Sequence, residues 1–357
     1  MNYKSGMLSH SGRQQEQESH SATARPSPCM PEPEPKRIAY LFGAGATHSE
    51  LTNLYVELPQ SKGLLTSQVS DRVIKKAKSA ARYLRGLETV TPESGSLNIE
   101  LLISLIESSK IHGWEYKTRY IKRLVKQDIT AILTASRTAR FHLHKALIEL
   151  HENPITKATE RLTGLISLNY DDVLDQAYAE YYGKPNYCFS LERAEAASTK
   201  IPLLKLHGSF NWTGKTIRGR RKTIEIIPLG ASKNYLHTPY GFIWNRALEI
   251  LIECDTLRVI GCSLSPNDAH LIDLIFKAHL ERPKAFEIEL VDFDQSGEDT
   301  QKRYRFFPAI KRLTQIEGGL IAEPRTSGNP FRTWLKYKSS RMLKQMVAET
   351  RYLRKAQ

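Results

Sequence analysis

Cysteine is scarce in this sequence. Four occur among 357 residues, at Cys29, Cys188, Cys254 and Cys262. None forms a Cys-x-x-Cys pair, which argues against a structural zinc ribbon. A reducing cytoplasm is the compartment such a chain fits. Long apolar runs are missing too. Nothing approaches the roughly 20 residues of a membrane helix, and the first residues lack the apolar core of a secretory signal. Acidic side chains are outnumbered, with 38 Asp and Glu against 52 Lys and Arg, for a formal charge of +14. That excess either serves solubility or attracts an acidic partner such as nucleic acid. Its densest stretches are Lys215, Arg218, Arg220, Arg221 and Lys222, then a tail from Arg332 through Lys336, Lys338, Arg341, Lys344, Arg351, Arg354 and Lys355. No helix-turn-helix, zinc-finger or RNA-binding aromatic signature accompanies them, so nucleic-acid contact is auxiliary at best.

The length allows one large α/β domain or two modest ones, with ample core. Residues 1–35 are rich in Ser, Gln, Glu and Pro. Such a stretch cannot bury enough apolar surface to offset its ordering entropy and reads as a disordered leader, with Met30 as an alternative start. Residues 36–325 read as the folded domain. Residues 326–357 read as a basic C-terminal helix, set off by Asn329-Pro330. Its apolar positions, Phe331, Trp334, Leu335, Met342, Leu343, Met346, Val347 and Leu353, have helical spacing. They serve either packing on the same domain or docking of a partner.

The most informative segment is Arg37-Ile38-Ala39-Tyr40-Leu41-Phe42-Gly43-Ala44-Gly45-Ala46-Thr47. An apolar run of strand length stops at two glycines flanking an alanine. Side chains this small let a charged ligand approach the backbone, and the N–H groups at such a turn suit a pyrophosphate. Alone the feature is weak, because the third glycine of the dinucleotide fingerprint is absent.

A helical insertion follows over about 50–160, most regular from Leu97 to Glu107. Glu100 within it reads as a surface residue. Regular β/α alternation then resumes: strands at Leu162–Leu168, Ile201–Leu206, Leu257–Ile260 and Phe286–Val291, with helices at Asp171–Tyr182 and Asn267–Leu280. Near-continuous apolar strands between helices predict an α/β fold, a Rossmann-like parallel sheet with helices on both faces. Ligands in such sheets lie beyond the carboxyl ends of the strands. Each strand ends in a polar or small-residue cluster: Gly43-Ala44-Gly45, Asn169-Tyr170-Asp171-Asp172, His207-Gly208-Ser209, Gly261-Cys262-Ser263 and Asp292. Brought to one rim, these form an inventory for binding and cleaving a dinucleotide. For each residue there is also a plainer reading: a tight turn at the glycines, a helix N-cap at Asp171 or Asp172, a core imidazole at His207, a strand-end turn at Asp292.

In order and spacing, these motifs resemble the sirtuin superfamily, and most of all the bacterial sirtuin-like domains of antiviral defence proteins. The resemblance covers roughly residues 36–295. It implies NAD as substrate. Gly43, Ala44, Gly45 and Thr47 would form the phosphate turn, with Ala44 and Gly45 presenting N–H groups to the pyrophosphate. Asn169 would bind the nicotinamide ribose and position the attacking oxygen, Asp171 would contact the carboxamide, and His207 would be the catalytic histidine. Gly261 and Ser263 would line the phosphate and adenosine-ribose side, and Asp292 would take a ribose hydroxyl. Thr47 stands where the family usually has Ser, and Leu168 where it has Gln. The four-cysteine zinc module of the protein-deacylating members is missing, since residues 208–256 contain only Cys254; no metal is expected.

The expected activity is therefore NAD hydrolysis to nicotinamide and ADP-ribose, used to deplete NAD in antiviral defence. The partners expected are a homo-oligomer and a separately encoded sensor or regulator, in the cytoplasm and away from membranes. An NAD-dependent protein deacylase and a non-catalytic NAD or ADP-ribose sensing module are the alternatives. Intact Asn169 and His207 weigh against a pure sensor.

Overall fold

The computed structural model describes residues 34–53, 142–190, 200–212, 216–217, 220–221, 227, 235, 237–262, 264, 268–282, 287–291, 304, 313–315, 331–332, 334–341 and 344. The chain divides into two units, Met1–Glu34 and Pro35–Gln357, and the elements below all belong to the second. Most of the expected insertion, including Leu97–Glu107, lies outside the described residues.

Strand β1, Lys36–Phe42, leads into α1, Ala44–Asn53. Helices α2, Leu143–Glu152, and α3, Pro154–Thr159, precede β2, Glu160–Ser167. Then come α4, Val173–Tyr182, and the short β3, Leu203–Lys205. A two-stranded antiparallel pair, β4 (Thr216–Ile217) and β5 (Arg220–Arg221), precedes α5, Tyr240–Glu253. Strand β6, Thr256–Ile260, helix α6, Ala269–Leu280, and strands β7, Glu287–Val291, and β8, Leu313–Gln315, follow.

The main sheet has six strands in the order β3-β2-β1-β6-β7-β8, and every pairing is parallel. The Rossmann-like expectation holds. Strand β8 is an addition, a three-residue strand whose sequence Leu-Thr-Gln has one apolar position and no periodic signal. The chain runs outward from β1 on one side through β2 and β3, then returns to build β6, β7 and β8 on the other. The reversal falls between β1 and β6. In open parallel sheets this is where a crevice opens beyond the strand ends.

Both faces of β1 are covered, which is why its sequence is a continuous apolar run rather than an alternating one. Tyr40 and Phe42 point to the face under α2, where their rings meet His151 and His144. Ala39 is level with Gly164 of β2 on the opposite face. A Cβ on Gly164 would sit 2.7 Å from Ile250 Cδ1 of α5, so glycine here lets α5 lie close to the sheet. The apolar stripe of α5, from Tyr240 and Ile243 to Ile250 and Leu251, is buried.

The α2 face carries a charged network that the sequence did not advertise. Arg258, 1% exposed, sends both terminal nitrogens to Glu160 at 2.7 and 2.6 Å and its Nε to Glu289 at 2.5 Å. It also donates to Tyr40 Oη at 3.0 Å, and Tyr40 Oη lies 2.7 Å from His151 Nε2. Residues 331, 332 and 334–341 are helical. Phe331, Trp334 and Leu335 from this stretch join the core, and Lys338 Nζ reaches Glu160 at 3.0 Å. Burial alone would raise the Glu160 carboxyl, but Arg258 and Lys338 hold it well below the usual carboxylate range. Removing one partner of such a buried group typically costs about 3–5 kcal/mol, because the remaining charges lose their compensation.

A second buried carboxylate joins α1 to α2. Glu50 accepts from the amides of His142, Leu143 and His144 and lies 2.7 Å from His144 Nδ1. A negative charge at a helix N-terminus is where the backbone dipoles favour it. Burial would raise Glu50, yet the His144 contact and the helix amides lower it.

Candidate functional site

The crevice end of β1 is built by three glycines packed backbone against backbone. Gly43 N–H donates to Ile260 O at 3.0 Å, and Gly45 N–H to Gly261 O at 2.9 Å. A Cβ on Gly43 would fall 2.5 Å from Gly261 O, and one on Gly45 2.7 Å from Gly261 Cα. Gly261 has φ +59°, and its Cβ would fall 2.2 Å from Ala46 N. The β1 and β6 turns thus touch at the topological reversal, and only glycine permits the approach. The Gly45 amide, expected to face a pyrophosphate, is engaged by Gly261 O in this structure. Ala44 opens α1 and is exposed. A helix N-terminus at this place suits an anion.

At the end of β2, Asn169 Nδ2 donates to Gly43 O at 2.8 Å and to Thr47 Oγ1 at 3.0 Å. A side-chain amide has two N–H donors. Both are engaged, so the group Asn169 can offer a ligand is its carbonyl Oδ1. Thr47 Oγ1 passes its own hydrogen to Asp171 Oδ2 at 2.7 Å, and Asp171 Oδ1 accepts from Val173 N at 3.1 Å. The N-cap of α4 is Asp172, whose side chain makes no capping hydrogen bond, while the Asp171 carboxylate ties Thr47 to the first amide of α4.

At the end of β3, His207 is 4% exposed. Its ring lies 6.1 Å from that of Tyr170 and 6.3 Å from that of Tyr235, centroid to centroid. Two residues on either side of it reach back to the β2 turn. Lys205, fully buried, donates from Nζ to Asp171 O and, at 3.0 Å, to Asp175 Oδ2. Ser209 Oγ donates to Tyr170 O at 3.1 Å. Asp175 also accepts from Tyr187 Oη at 2.5 Å and from Asn211 Nδ2 at 3.2 Å. The turn carrying Asn169 and the turn carrying His207 are thereby fastened to each other from two sides. The sequence displayed Lys205 and Ser209 without disclosing this, because their partners lie 30 or more residues away.

On the other side of the reversal, Asp268 Oδ1 lies 3.9 Å from His207 Nε2. Sequence reasoning missed this residue. Its signal was an acid immediately before a helix that follows a small-residue strand end. Ser263 and Asp292 lie outside the described residues. Gly43, Ala44, Gly45, Thr47, Asn169 and Asp171 form one connected group. His207 adjoins it through Tyr170, and Gly261 through Gly45.

Cys188, Cys254 and Cys262 are buried, and none is in a disulfide. Burial pushes the Cys188 thiol up to about 11 and that of Cys254 up to about 12, so neither is a nucleophile near neutral pH. Among the described residues, no cluster of three His, Cys, Asp or Glu side chains is placed to hold a metal ion.

Fold and site together define a nucleotide-type α/β sheet with an amide and an imidazole at neighbouring strand ends. Residues 163–305 match the family model described as the SIR2-like domain. The match makes this stretch similar to that family. No curated protein sequence matches the chain. Among solved structures, a Sir2 homologue–NAD complex aligns at 12% identity with a TM-score of 0.37, covering 87% of this chain and 90% of that one. A Sir2 homologue mutant with ADP-ribose aligns at 14% identity and 0.36, covering 88% and 94%. Sir2 with a p53 peptide and NAD+ aligns at 12% and 0.34, covering 87% and 93%.

Proposed function

We propose that this protein hydrolyses NAD at the nicotinamide–ribose bond, giving nicotinamide and ADP-ribose. The observation that carries the reading is Asn169, whose amide hydrogens are fixed on Gly43 and Thr47 so that Oδ1 remains, at the strand end next to the one that carries the buried imidazole of His207. An acceptor oxygen suits the hydroxyl of a ribose or of an attacking water, and an imidazole suits the proton that either gives up.

The nicotinamide of NAD is a cationic pyridinium that leaves as a neutral ring, so no leaving-group acid is required. The transition state resembles that of glycoside cleavage. The residues have to hold the ribose, exclude bulk water and guide one nucleophile. Asn169 Oδ1 holds a hydroxyl or the water. His207 accepts the proton, with a reference pKa of about 6.5 that lies near cellular pH. Such base assistance is typically worth about 100- to 10,000-fold. Ala44 and the head of α1 receive the pyrophosphate, and Gly43, Gly45 and Gly261 keep the approach bare. Ser263 and Asp292 take the adenosine side. In this reading no metal takes part.

The proposed setting is depletion of NAD in antiviral defence, in the cytoplasm, by an oligomer restrained until a separately encoded sensor releases it. The chain's lack of the four-cysteine module between residues 208 and 256 favours hydrolysis over deacylation of a peptide. The test is incubation of purified protein with NAD, followed by product analysis. Wild type releases nicotinamide and ADP-ribose; His207→Ala and Asn169→Ala keep the fold and release neither. Wild-type turnover in either variant refutes the assignment.

A further inference from the structure

Asp268 occupies the residue before α6, where an aspartate ordinarily caps the helix with its side chain. Here the backbone carbonyl of Asp268 accepts from Leu271 N at 2.9 Å and Ile272 N at 3.1 Å, while the side chain makes no capping hydrogen bond. The carboxylate is buried and sits 3.9 Å from the Nε2 of His207, which is itself buried. These two residues come from opposite sides of the topological reversal. An acid drawn into a covered site and turned from the usual capping role towards an imidazole calls for an explanation other than helix stability.

We infer that Asp268 is a positioning residue for His207, holding the imidazole in its working orientation and stabilising the imidazolium that forms when the ring takes a proton. The inference rests on the NAD-cleaving reading for its catalytic meaning, but the pairing itself can be measured without substrate. In the hydrolytic step, water oxygen bonds the ribose carbon and the carbon–nitrogen bond breaks with its electron pair going to nicotinamide. The water proton passes to His207 and then to solvent. A carboxylate at this separation favours the charged form of the ring, and catalytic contacts that are long in the resting protein tighten when substrate closes the site.

Tyr170 flanks the His207 ring from the β2 turn and Tyr235 from the segment before α5, with the His270 ring edge-on to Tyr235 at 4.3 Å. The ammonium of Lys205 is turned away to Asp171 O and Asp175. Among the described residues, Asp268 places a carboxylate oxygen 3.9 Å from Nε2.

The test uses the full chain with 15N-labelled histidine, the His207 resonances being assigned with His207→Gln. In Asp268→Asn the His207 titration midpoint falls below that of wild type, and in Asp268→Glu it stays close to wild type. In parallel, Asp268→Asn lowers kcat for nicotinamide release by about 10- to 100-fold with KM nearly unchanged, and Asp268→Glu recovers part of the rate. An unchanged midpoint in Asp268→Asn overturns the pairing, whatever the activity. An unchanged kcat overturns the positioning role. A wild type that releases no nicotinamide overturns the NAD-cleaving reading and, with it, the catalytic meaning of the pair, while the midpoint comparison still decides whether the two residues are coupled.

Discussion

Asn169 and Thr47 are joined by a 3.0 Å hydrogen bond, and the threonine hydroxyl in turn donates to Asp171 at 2.7 Å. This relay fixes which way the amide faces. Replacing Thr47 by valine keeps the shape and removes the hydroxyl, leaving one amide hydrogen of Asn169 and one oxygen of Asp171 without their partner. The rate of nicotinamide release is expected to fall roughly 10- to 100-fold, as for other small misplacements of a reacting group. Thr47→Ser keeps the relay and stays near wild type. Steady-state release assays on protein checked by circular dichroism decide this.

Lys205 is the fastener with the largest expected effect on stability. Lys205→Met fills similar space but strands the Asp175 carboxylate in a buried setting. Breaking a buried pair in this way costs about 3–5 kcal/mol. Ser209→Ala loses one hydrogen bond to Tyr170 O and should cost about 1 kcal/mol. Urea unfolding of the two variants measures the difference, and equal midpoints would contradict it.

His151 predicts how stability depends on acid. Burial, with the Arg258 charge beside it, lowers this histidine from 6.5 to about 3 in the folded protein. The unfolded chain therefore takes up a proton that the fold refuses. The contribution is fully present above the unfolded value and is lost as pH falls from about 6.5 through 3. Replacement by glutamine, which carries no titrating ring, should flatten the fall in unfolding free energy between pH 6.5 and 4. Denaturant titrations at several pH values provide the comparison.

Gly261 is expected to tolerate no side chain. With φ at +59° and a Cβ placed 2.2 Å from Ala46 N, Gly261→Ala combines a left-handed backbone with a direct clash. The conformational part alone is worth roughly 1–2 kcal/mol, and the clash adds to it. The variant should melt well below wild type by calorimetry and lose nicotinamide release with it.

Much of the fold was legible because β1, β2, β6 and β7 are buried on both faces and read as apolar runs ending in small or polar residues. The α5 stripe, from Tyr240 to Leu251, repeats at helical spacing but was not among the expected helices. Other features were not legible. Strand β8 has one apolar residue, and Arg258 and Lys205 look like surface charges until Glu160, Glu289 and Asp175 are brought to them from distant parts of the chain. At the site, residue types marked the turns, but hydrogen-bond direction came only from geometry: the Gly45 amide donates to Gly261 O, and the Asp171 carboxylate accepts from Thr47 Oγ1 and Val173 N. Asp268 showed only as an acid before a helix, because its relation to His207 exists only after the strands on either side of β1 are in place.

That β6 is laid beside β1 long after β1 itself is made has a bearing on synthesis. A ribosome delivers Gly43, Asn169 and His207 well before Gly261 and Asp268 emerge. A growing polypeptide halted short of β6 lacks Gly261 and Asp268, so the glycine contact at the reversal and the carboxylate near His207 are completed only in chains translated past it.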